Sequence, residues 1–217
     1  MKKTDVLMNA AMVLLVMCAL VVTGILVRRE FFPARSGGPA AGGKVADWRS
    51  YASAGQRDGP AAPPVTIVEF EDYQCPYCRA MAPQLDSLRA AMPDRFAIVH
   101  RHYPLGNHAY ARPAALAAEC AGEQHRFREY AAALYAGQDS LPRVSWSRLA
   151  RQVGVQDLPR FDACVSSQRL AANVDRDVAA GKRLGVTGTP TFLVNDVLIP
   201  GAISAASLAT MIEDAAR

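Results

Sequence analysis

Cys75 and Cys78 stand two residues apart in Cys75-Pro76-Tyr77-Cys78, the spacing of a dithiol that can close into a disulfide and reopen. An apolar, β-branched run, Val65-Thr66-Ile67-Val68-Glu69-Phe70, precedes the pair, and a stretch of helical periodicity follows it. Strand, turn and Cys-x-x-Cys at a helix start suit thiol–disulfide exchange. The first helical turn carries unpaired N–H groups and a partial positive charge, and both favour a thiolate over a thiol. Pro76 fits the first helical position, where its missing donor leaves nothing unsatisfied. At 3.6 residues per turn, Cys78, Met81, Ala82, Leu85, Leu88 and Met92 share one face. Cys78 is therefore expected to open the buried stripe and Cys75 to sit exposed at the tip, one sulfur to attack and one to resolve the mixed disulfide. The competing reading is half a zinc site. Zinc requires four ligands, normally from a second Cys pair or a His pair at matched spacing. The remaining cysteines are single, and His100 and His102 alternate with Phe96 and Ile98 as strand residues do, so redox chemistry is the better fit.

Three further features stand around the pair. Pro83 lies eight residues after Cys75, inside the helix, where it should produce a kink. Glu69 lies six residues before Cys75 at the same strand parity as Ile67. Far downstream, Gly188-Thr189-Pro190-Thr191 leads into an apolar strand. The combination resembles the thioredoxin superfamily. More narrowly, Val-Glu-Phe-Glu-Asp-Tyr-Gln-Cys-Pro-Tyr-Cys and Gly-Val-Thr-Gly-Thr-Pro-Thr-Phe-Leu-Val-Asn resemble DsbA-like exported thiol–disulfide oxidoreductases, over about residues 45–217. The resemblance implies that Glu69 is a buried acid relaying protons for Cys78. It also implies that Thr189 offers its backbone to an extended client beside a cis Pro190, with Pro76 and Tyr77 completing the client-facing surface. Read as an ordinary residue, Glu69 would face solvent with Glu71 and Asp72.

The elements that must hold these residues follow in order. Met1–Asp5 is a short charged lead, and Val6–Val27 contains 22 residues without a charge, long enough to span a bilayer as a helix. A cleaved signal peptide would have a shorter apolar region and a small-residue cleavage site. Arg28-Arg29-Glu30 follows instead, so residues 6–27 are expected to remain as an anchor with Cys18 embedded and inert. Lys2 and Lys3 against Arg28 and Arg29 leave its orientation tied. Residues 28–44, rich in Gly, Pro and Ala, read as a flexible tether. Within the remainder, Asp47–Tyr51 suggests a short helix, Gln56–Pro60 a turn, and Arg95–Tyr103 a second strand ended by Pro104. A helical block spans about 107–184. Two short strands around Asn195-Asp196 follow as a hairpin, and a final helix covers 203–216. The order β-α-β, helical insertion, β-β-α predicts an α/β thioredoxin fold behind an N-terminal transmembrane helix.

Cys120 and Cys164, 44 residues apart, both fall on apolar helical faces. Reduced, they would be small hydrophobes. Outside the cytoplasm they form a plausible disulfide worth roughly 2–4 kcal/mol, and export favours that reading. Anchor, tether and staple together place the catalytic domain on the extracytoplasmic side. His108 lies in the loop Leu105-Gly106-Asn107-His108, which a similar fold could bring near the active site, although a surface-loop residue is the expected reading; His125 reads as a helix-start residue. Net charge is +4 with no basic run interleaved with aromatics, which argues against nucleic acid. No glycine-rich phosphate loop occurs, and neither metal, nucleotide nor flavin is expected.

The expected function is therefore a membrane-tethered, monomeric disulfide oxidoreductase acting on exported client proteins. Its expected redox partner is a quinone-linked membrane oxidase if it donates disulfides, or a membrane reductant if it removes them. A reductase or isomerase of the same fold is the alternative within the chemistry. A client-binding or metal-handling module using the Cys pair as ligands is the alternative outside it.

Overall fold

The computed structural model describes residues 12–23 and 42–217, and the chain divides into one unit within residues 1–37 and another within residues 38–217. In the first, residues 12–23 are helical, apolar and exposed. No described helix is long and apolar enough to cross a membrane. The expected span, residues 6–27, extends past the described residues at both ends, and residues 1–5 and 28–41 lie outside them.

The second unit is built on β2 (Val65–Glu71), every residue of which is buried. Such a strand must lie mid-sheet with both faces covered, which accounts for its β-branched run. Its neighbours are β3 (Phe96–His102), parallel, and β4 (Thr191–Val194), antiparallel; with β1 (Gln56–Asp58) and β5 (Val197–Pro200) at the edges, the five-stranded sheet has the order β1-β3-β2-β4-β5. The parallel pair requires a crossover, supplied by α2 (Pro76–Ala91). β5 (Val197–Pro200) closes a hairpin with β4 through Asn195 and Asp196. Asn195 takes the left-handed backbone the turn needs (φ +46), and its Oδ1 accepts the Thr66 amide at 2.9 Å.

Alternation along β2 and β3 sorts the core. Val65, Ile67, Phe96 and Ile98 face Met81, Leu85 and Leu88 of α2, together with Leu208 and Ile212 of α8 (Ala205–Ala215). Val68, Phe70 and Val99 face the other way, onto Tyr51 of α1 (Trp48–Ala52) and onto Ala180 and Leu184 of α7 (Ala171–Leu184). Glu69, Glu71, His100 and His102 share the parity of the α2-facing set, so four polar side chains lie on an internal face.

Between β3 and β4 the chain is helical: α3 (Ala111–Gly122), α4 (Phe127–Ala136), a 3-10 turn Gln138–Arg143, α5 (Trp146–Gln152), α6 (Leu158–Ser167) and α7. Their shared core includes Tyr73, Cys75 and Cys78, so the helical block and the redox motif are packed as one body. A disulfide joins Cys120 of α3 to Cys164 of α6, with Cα atoms 5.8 Å apart.

Two local expectations are corrected. Gln56–Asp58 forms β1, antiparallel to β3, where the polar sequence suggested a turn. Gly55 and Gly59 bracket it at φ +104 and +118, and a Cβ on Gly55 would lie 2.4 Å from the His100 carbonyl oxygen. Gly59, which read as a turn residue, and Gly55 before it instead permit close approach to β3. The tether also ends earlier than residue 44. Lys44 forms a bridge with Val197, and the Gly42 amide donates to the Leu198 carbonyl at 2.8 Å.

Candidate active site

The loop leaving β2 is fixed before the first cysteine is reached. The Asp72 carbonyl accepts the Cys75 amide at 3.0 Å. Its side chain accepts from the Gln74 amide (2.7 Å), the Leu105 amide (2.8 Å) and the His108 ring (Nδ1, 2.8 Å). From the 3-10 turn, Gln138 Nε2 donates to the carbonyls of Tyr73 (2.8 Å) and Cys75 (3.0 Å). Cys75 is the N-cap of α2 and Pro76 its first residue. Pro83 lies within α2 and provides no N–H for the Arg79 carbonyl one turn back.

Cys75 is 3% exposed and Cys78 1%, so the expected contrast of an open and a covered sulfur is corrected: both are buried. The cover over Cys75 comes from the distant proline loop, where the Thr189–Pro190 peptide is cis. Cys75 Sγ lies 3.1 Å from the Thr189 carbonyl oxygen, to which its protonated form donates. Tyr77, by contrast, is 65% exposed. It lines a groove of about 460 Å³ with Thr187–Thr189, Thr191 and Pro200–Ala202, beside the helix tip.

The two thiols are strongly unequal. The Cys78 thiol donates towards Cys75 and is the largest cause that brings the Cys75 pKa from 9.0 down to about 5, against the opposing effect of burial. The Thr189 hydroxyl, otherwise buried without a partner, and the amides of Cys78 and Tyr77 add to the lowering. The helix-start amides thus contribute, but the second cysteine contributes more. Cys78 is pushed far up, first by burial, then by its bond to Cys75 and the nearby negative charge of Glu69. Cys75 is the thiolate and Cys78 the proton-bearing thiol.

Beneath them Glu69 is 2% exposed, which rules out the solvent-facing reading. His100 stands opposite Glu69 in the β2–β3 register, with Nδ1 3.4 Å from Glu69 and 3.5 Å from Glu71. Tyr73 and Tyr135 both donate to Glu71, at 3.2 and 2.8 Å. Burial pushes Glu71 up, but the charge and hydrogen bond of His100, with help from His102 and Tyr135, outweigh it and leave the carboxyl below its usual value. For Glu69 burial prevails and the pKa is raised. Two carboxylates on one strand face are thus driven apart: Glu71 stays ionised, and Glu69 can take and give a proton. His100 is held up near 10, the two carboxylates outweighing the effect of burial. Behind it, His102 Nε2 lies 3.1 Å from Glu119, whose carboxyl is lowered to about 2 by His102, Asn173 and Gln56 in spite of burial.

Of the residues singled out in the sequence, Cys75, Pro76, Tyr77, Cys78, Thr189 and Pro190 meet at one end of α2, with Glu69 below them. Cys120 and Cys164 lie apart as the disulfide. The sequence reading passed over Glu71, His100, Asp72 and Gln138; it favoured a surface-loop reading for His108, whereas the alternative, a loop brought near the active site, is what its bond to Asp72 shows. Glu71 was findable, since i and i+2 on a strand share a face. Among the described residues, no Asp, Glu or His joins Cys75 and Cys78 in a cluster of metal-ligand type. The one such convergence, Glu69, Glu71 and His100 within 4.8 Å of one another, already holds its counter-charge on the imidazolium.

Residues 55–214 match the thioredoxin family profile. Two solved structures share this fold and more than a quarter of the aligned residues. A thioredoxin-like oxidoreductase from Silicibacter pomeroyi is 30% identical, with TM-score 0.62 over 73% of this chain and 90% of that one. DsbA2 from Pseudomonas aeruginosa is 26% identical, with TM-score 0.60 over 73% of this chain and 92% of that one. A Na(+)/H(+) antiporter, NhaA 3 of Salinispora tropica, is 41% identical over 140 residues. That match covers 63% of this chain but spans only about a fifth (21%) of the antiporter's length.

Proposed function

We propose that this chain, which belongs to the thioredoxin family, is a membrane-tethered protein thiol–disulfide oxidoreductase that introduces disulfides into exported proteins through Cys75 and Cys78. Dithiol–disulfide exchange needs one thiolate that a client sulfur can reach and one protonated thiol behind it. The observation that carries the reading is the placement of Cys75 at the N-cap of α2, against the Thr189 carbonyl of the cis-Pro190 loop, with Cys78 buried behind it; the Cys75 thiol lowered to about 5 and the Cys78 thiol raised agree with it. A client thiolate attacks Cys75 Sγ of the disulfide form, Cys78 leaves and is protonated, and a second client thiol releases Cys75 as its thiolate. Thr189 offers its backbone carbonyl to an extended client segment once Cys75 is no longer bonded to it, a pairing that tolerates many sequences. The likeness to a DsbA2 and to a thioredoxin-like oxidoreductase supports this chemistry. No antiport activity is carried over from a relative matched over a fifth of its length.

The tether and the extracytoplasmic location rest on the uncharged run Val6–Val27. Among the described residues, every exposed large apolar side chain except Tyr77 and Tyr110 lies within residues 12–23, which supports the same reading. The protein is then expected to stay with membranes after carbonate washing; a processed N-terminus in a soluble extract would reject the tether. The deciding experiment for the chemistry is oxidation of a reduced, unfolded test protein by the purified oxidised chain. Stoichiometric disulfide transfer is expected, and its loss in Cys75→Ser. A Cys75→Ser variant with undiminished transfer would overturn the assignment. A membrane quinone-linked oxidase is the partner this direction requires.

A further inference from the structure

The peptide that joins Cys75 to Pro76 has no N–H, because its nitrogen belongs to the proline ring. It can be held only through its carbonyl. That carbonyl accepts the Arg79 amide at 3.1 Å, the bond that opens α2, and also Gln138 Nε2 at 3.0 Å. The same Nε2 donates to the Tyr73 carbonyl at 2.8 Å. A primary amide nitrogen carries two protons, so each carbonyl takes one and the donor is fully used. The two bonded peptides bracket Gln74 and Cys75.

Gln138 does not belong to the strand–helix unit that carries the cysteines. It opens the 3-10 turn of the helical block, just past α4. Two neighbours on this segment reach the same way. Tyr135 donates to Glu71 at 2.8 Å, and Asp139 pairs with the Arg79 guanidinium at 3.0 Å. Tyr135, Gln138 and Asp139 stand at i, i+3 and i+4, the spacing of one face of a helical turn. They meet Glu71, then Tyr73 and Cys75, then Arg79, in chain order. The Arg79–Asp139 pair lies at the surface, where an ion pair contributes little. Half-buried Gln138 is the member of the three that bonds the reactive residue.

We propose that Gln138 is a positioning residue of the redox centre, through which the helical block favours the Cys75 thiolate over the disulfide and so makes the disulfide a stronger oxidant. The inference rests on the oxidoreductase reading above. The Cys75 carbonyl oxygen is the negative end of a peptide dipole on the same residue as the sulfur. When Sγ carries a full charge, that oxygen repels it. When Sγ is bonded to Cys78, the sulfur is neutral and the repulsion is small. A donor on the oxygen offsets the repulsion, so Gln138 stabilises the reduced form more than the oxidised one. Backbone geometry works in the same direction. Cys75 is an extended N-cap, with ψ of 121°, and the Tyr77 and Cys78 amides that favour its thiolate lie just past the Cys75–Pro76 peptide. Rotation of that peptide would turn those amides off the sulfur. Gln138 restrains it from outside the helix.

The test equilibrates the full-length protein with glutathione at neutral pH. The Cys75–Cys78 disulfide and two glutathione thiols give the Cys75 thiolate, the Cys78 thiol, one proton and oxidised glutathione. Gln138→Met keeps a side chain of similar length and removes both donors. Its equilibrium constant should fall roughly threefold to tenfold, the scale of one hydrogen bond, and the thiolate titration of Cys75 should move upward. Gln138→Lys restores N–H donors, and its constant should return to the wild-type value or exceed it. A side chain that merely fills the turn would give Met and Lys the same constant. A wild-type constant in Gln138→Met, or an equal fall in both variants, would overturn the proposal. Should the variants fold poorly, the wild-type protein decides by amide NMR. The side-chain amide resonances of Gln138 should follow the thiolate titration of Cys75 and shift again on oxidation; resonances that follow neither would overturn the proposal equally. A wild-type disulfide that exchanges nothing with glutathione would sink the oxidoreductase reading and this proposal with it, whereas an active wild type with unmoved variants sinks the proposal alone.

Discussion

At the scale of residues, the site is a set of unequal pairs made from like groups. Cys75 and Cys78 share a helix turn, yet one is lowered to about 5 and the other raised, because each stabilises one protonation state of its neighbour. In the reduced protein, thiolate absorbance should titrate near pH 5, and alkylation at Cys75 should be flat above that and fall below it. Removing a donor to an anion raises its pKa. Cys78→Ala, which removes the largest contributor, should shift this titration upward most, and Thr189→Val should shift it upward by less. An unshifted titration in Cys78→Ala would show that the helix start alone sets the value. The histidine–acid pairs have their own pH signature, which the oxidised protein shows without interference from thiols. His100, raised from 6.5 to about 10, contributes stability fully present below 6.5 and lost as pH rises through 10. Glu119, lowered from 4.5 to about 2, contributes stability fully present above 4.5 and lost as pH falls through 2. The urea midpoint of the oxidised form should therefore decline on both sides, and Glu119→Gln should flatten the acid limb specifically.

At the scale of elements, α7 and the disulfide decide how firmly the helical block is held. Gly181 of α7 is a glycine because of what it faces. A Cβ there would lie 2.5 Å from two ring atoms of Tyr103, whose hydroxyl is bonded to the Val186 carbonyl at 2.8 Å and whose ring stands edge-on to Phe70. Gly181→Ala gains about 1 kcal/mol of helix propensity but overpacks a fixed ring, so a net loss of roughly 1–2 kcal/mol is expected from urea unfolding. The Cys120–Cys164 bond closes a 44-residue separation. By the chain-entropy relation it contributes up to about 4 kcal/mol, and Cys120→Ala/Cys164→Ala should lower the urea midpoint while leaving disulfide transfer at Cys75 intact. Much of this arrangement was legible in the sequence, because the central strand, the Cys helix and the closing hairpin each have one dominant local signal: a β-branched run, a 3.6-residue stripe, an Asn-Asp turn. What was hidden depends on contacts between distant segments. β1 is a strand only because Gly55 and Gly59 let it approach β3, and nothing in Gln56-Arg57-Asp58 marks it. Cys75 is buried by Thr189, 114 residues away, so the helix tip taken alone read as open. Glu71 and His100 were visible by strand parity, but their pairing depends on the β2–β3 register, which no local pattern supplies.

At the scale of the whole molecule, the groove at Tyr77 and Thr189 and the cavity lined by Glu69 and His100 share no lining residue. The direction of electron flow then depends on the free energy stored between the closed and open dithiol. A stabilised thiolate favours the reduced form and makes the disulfide the stronger oxidant. At about 5, Cys75 lies between the nucleophilic thiols of thioredoxin, about 7, and DsbA, about 3.5. The reduction potential should accordingly fall between those proteins' values, roughly −270 and −120 mV, as measured by equilibration with glutathione. The whole of that interval lies above the potential of structural disulfides in secreted proteins, below about −300 mV, so the proposed transfer to clients would run downhill. A donor of this kind must be re-oxidised faster than clients consume it. Thiol trapping in the native host should therefore find Cys75–Cys78 predominantly as the disulfide, and trapping in the presence of a membrane-quinone inhibitor should find it reduced. A pair found predominantly reduced in untreated cells would reverse the assignment to a reductase or isomerase fed by a membrane reductant.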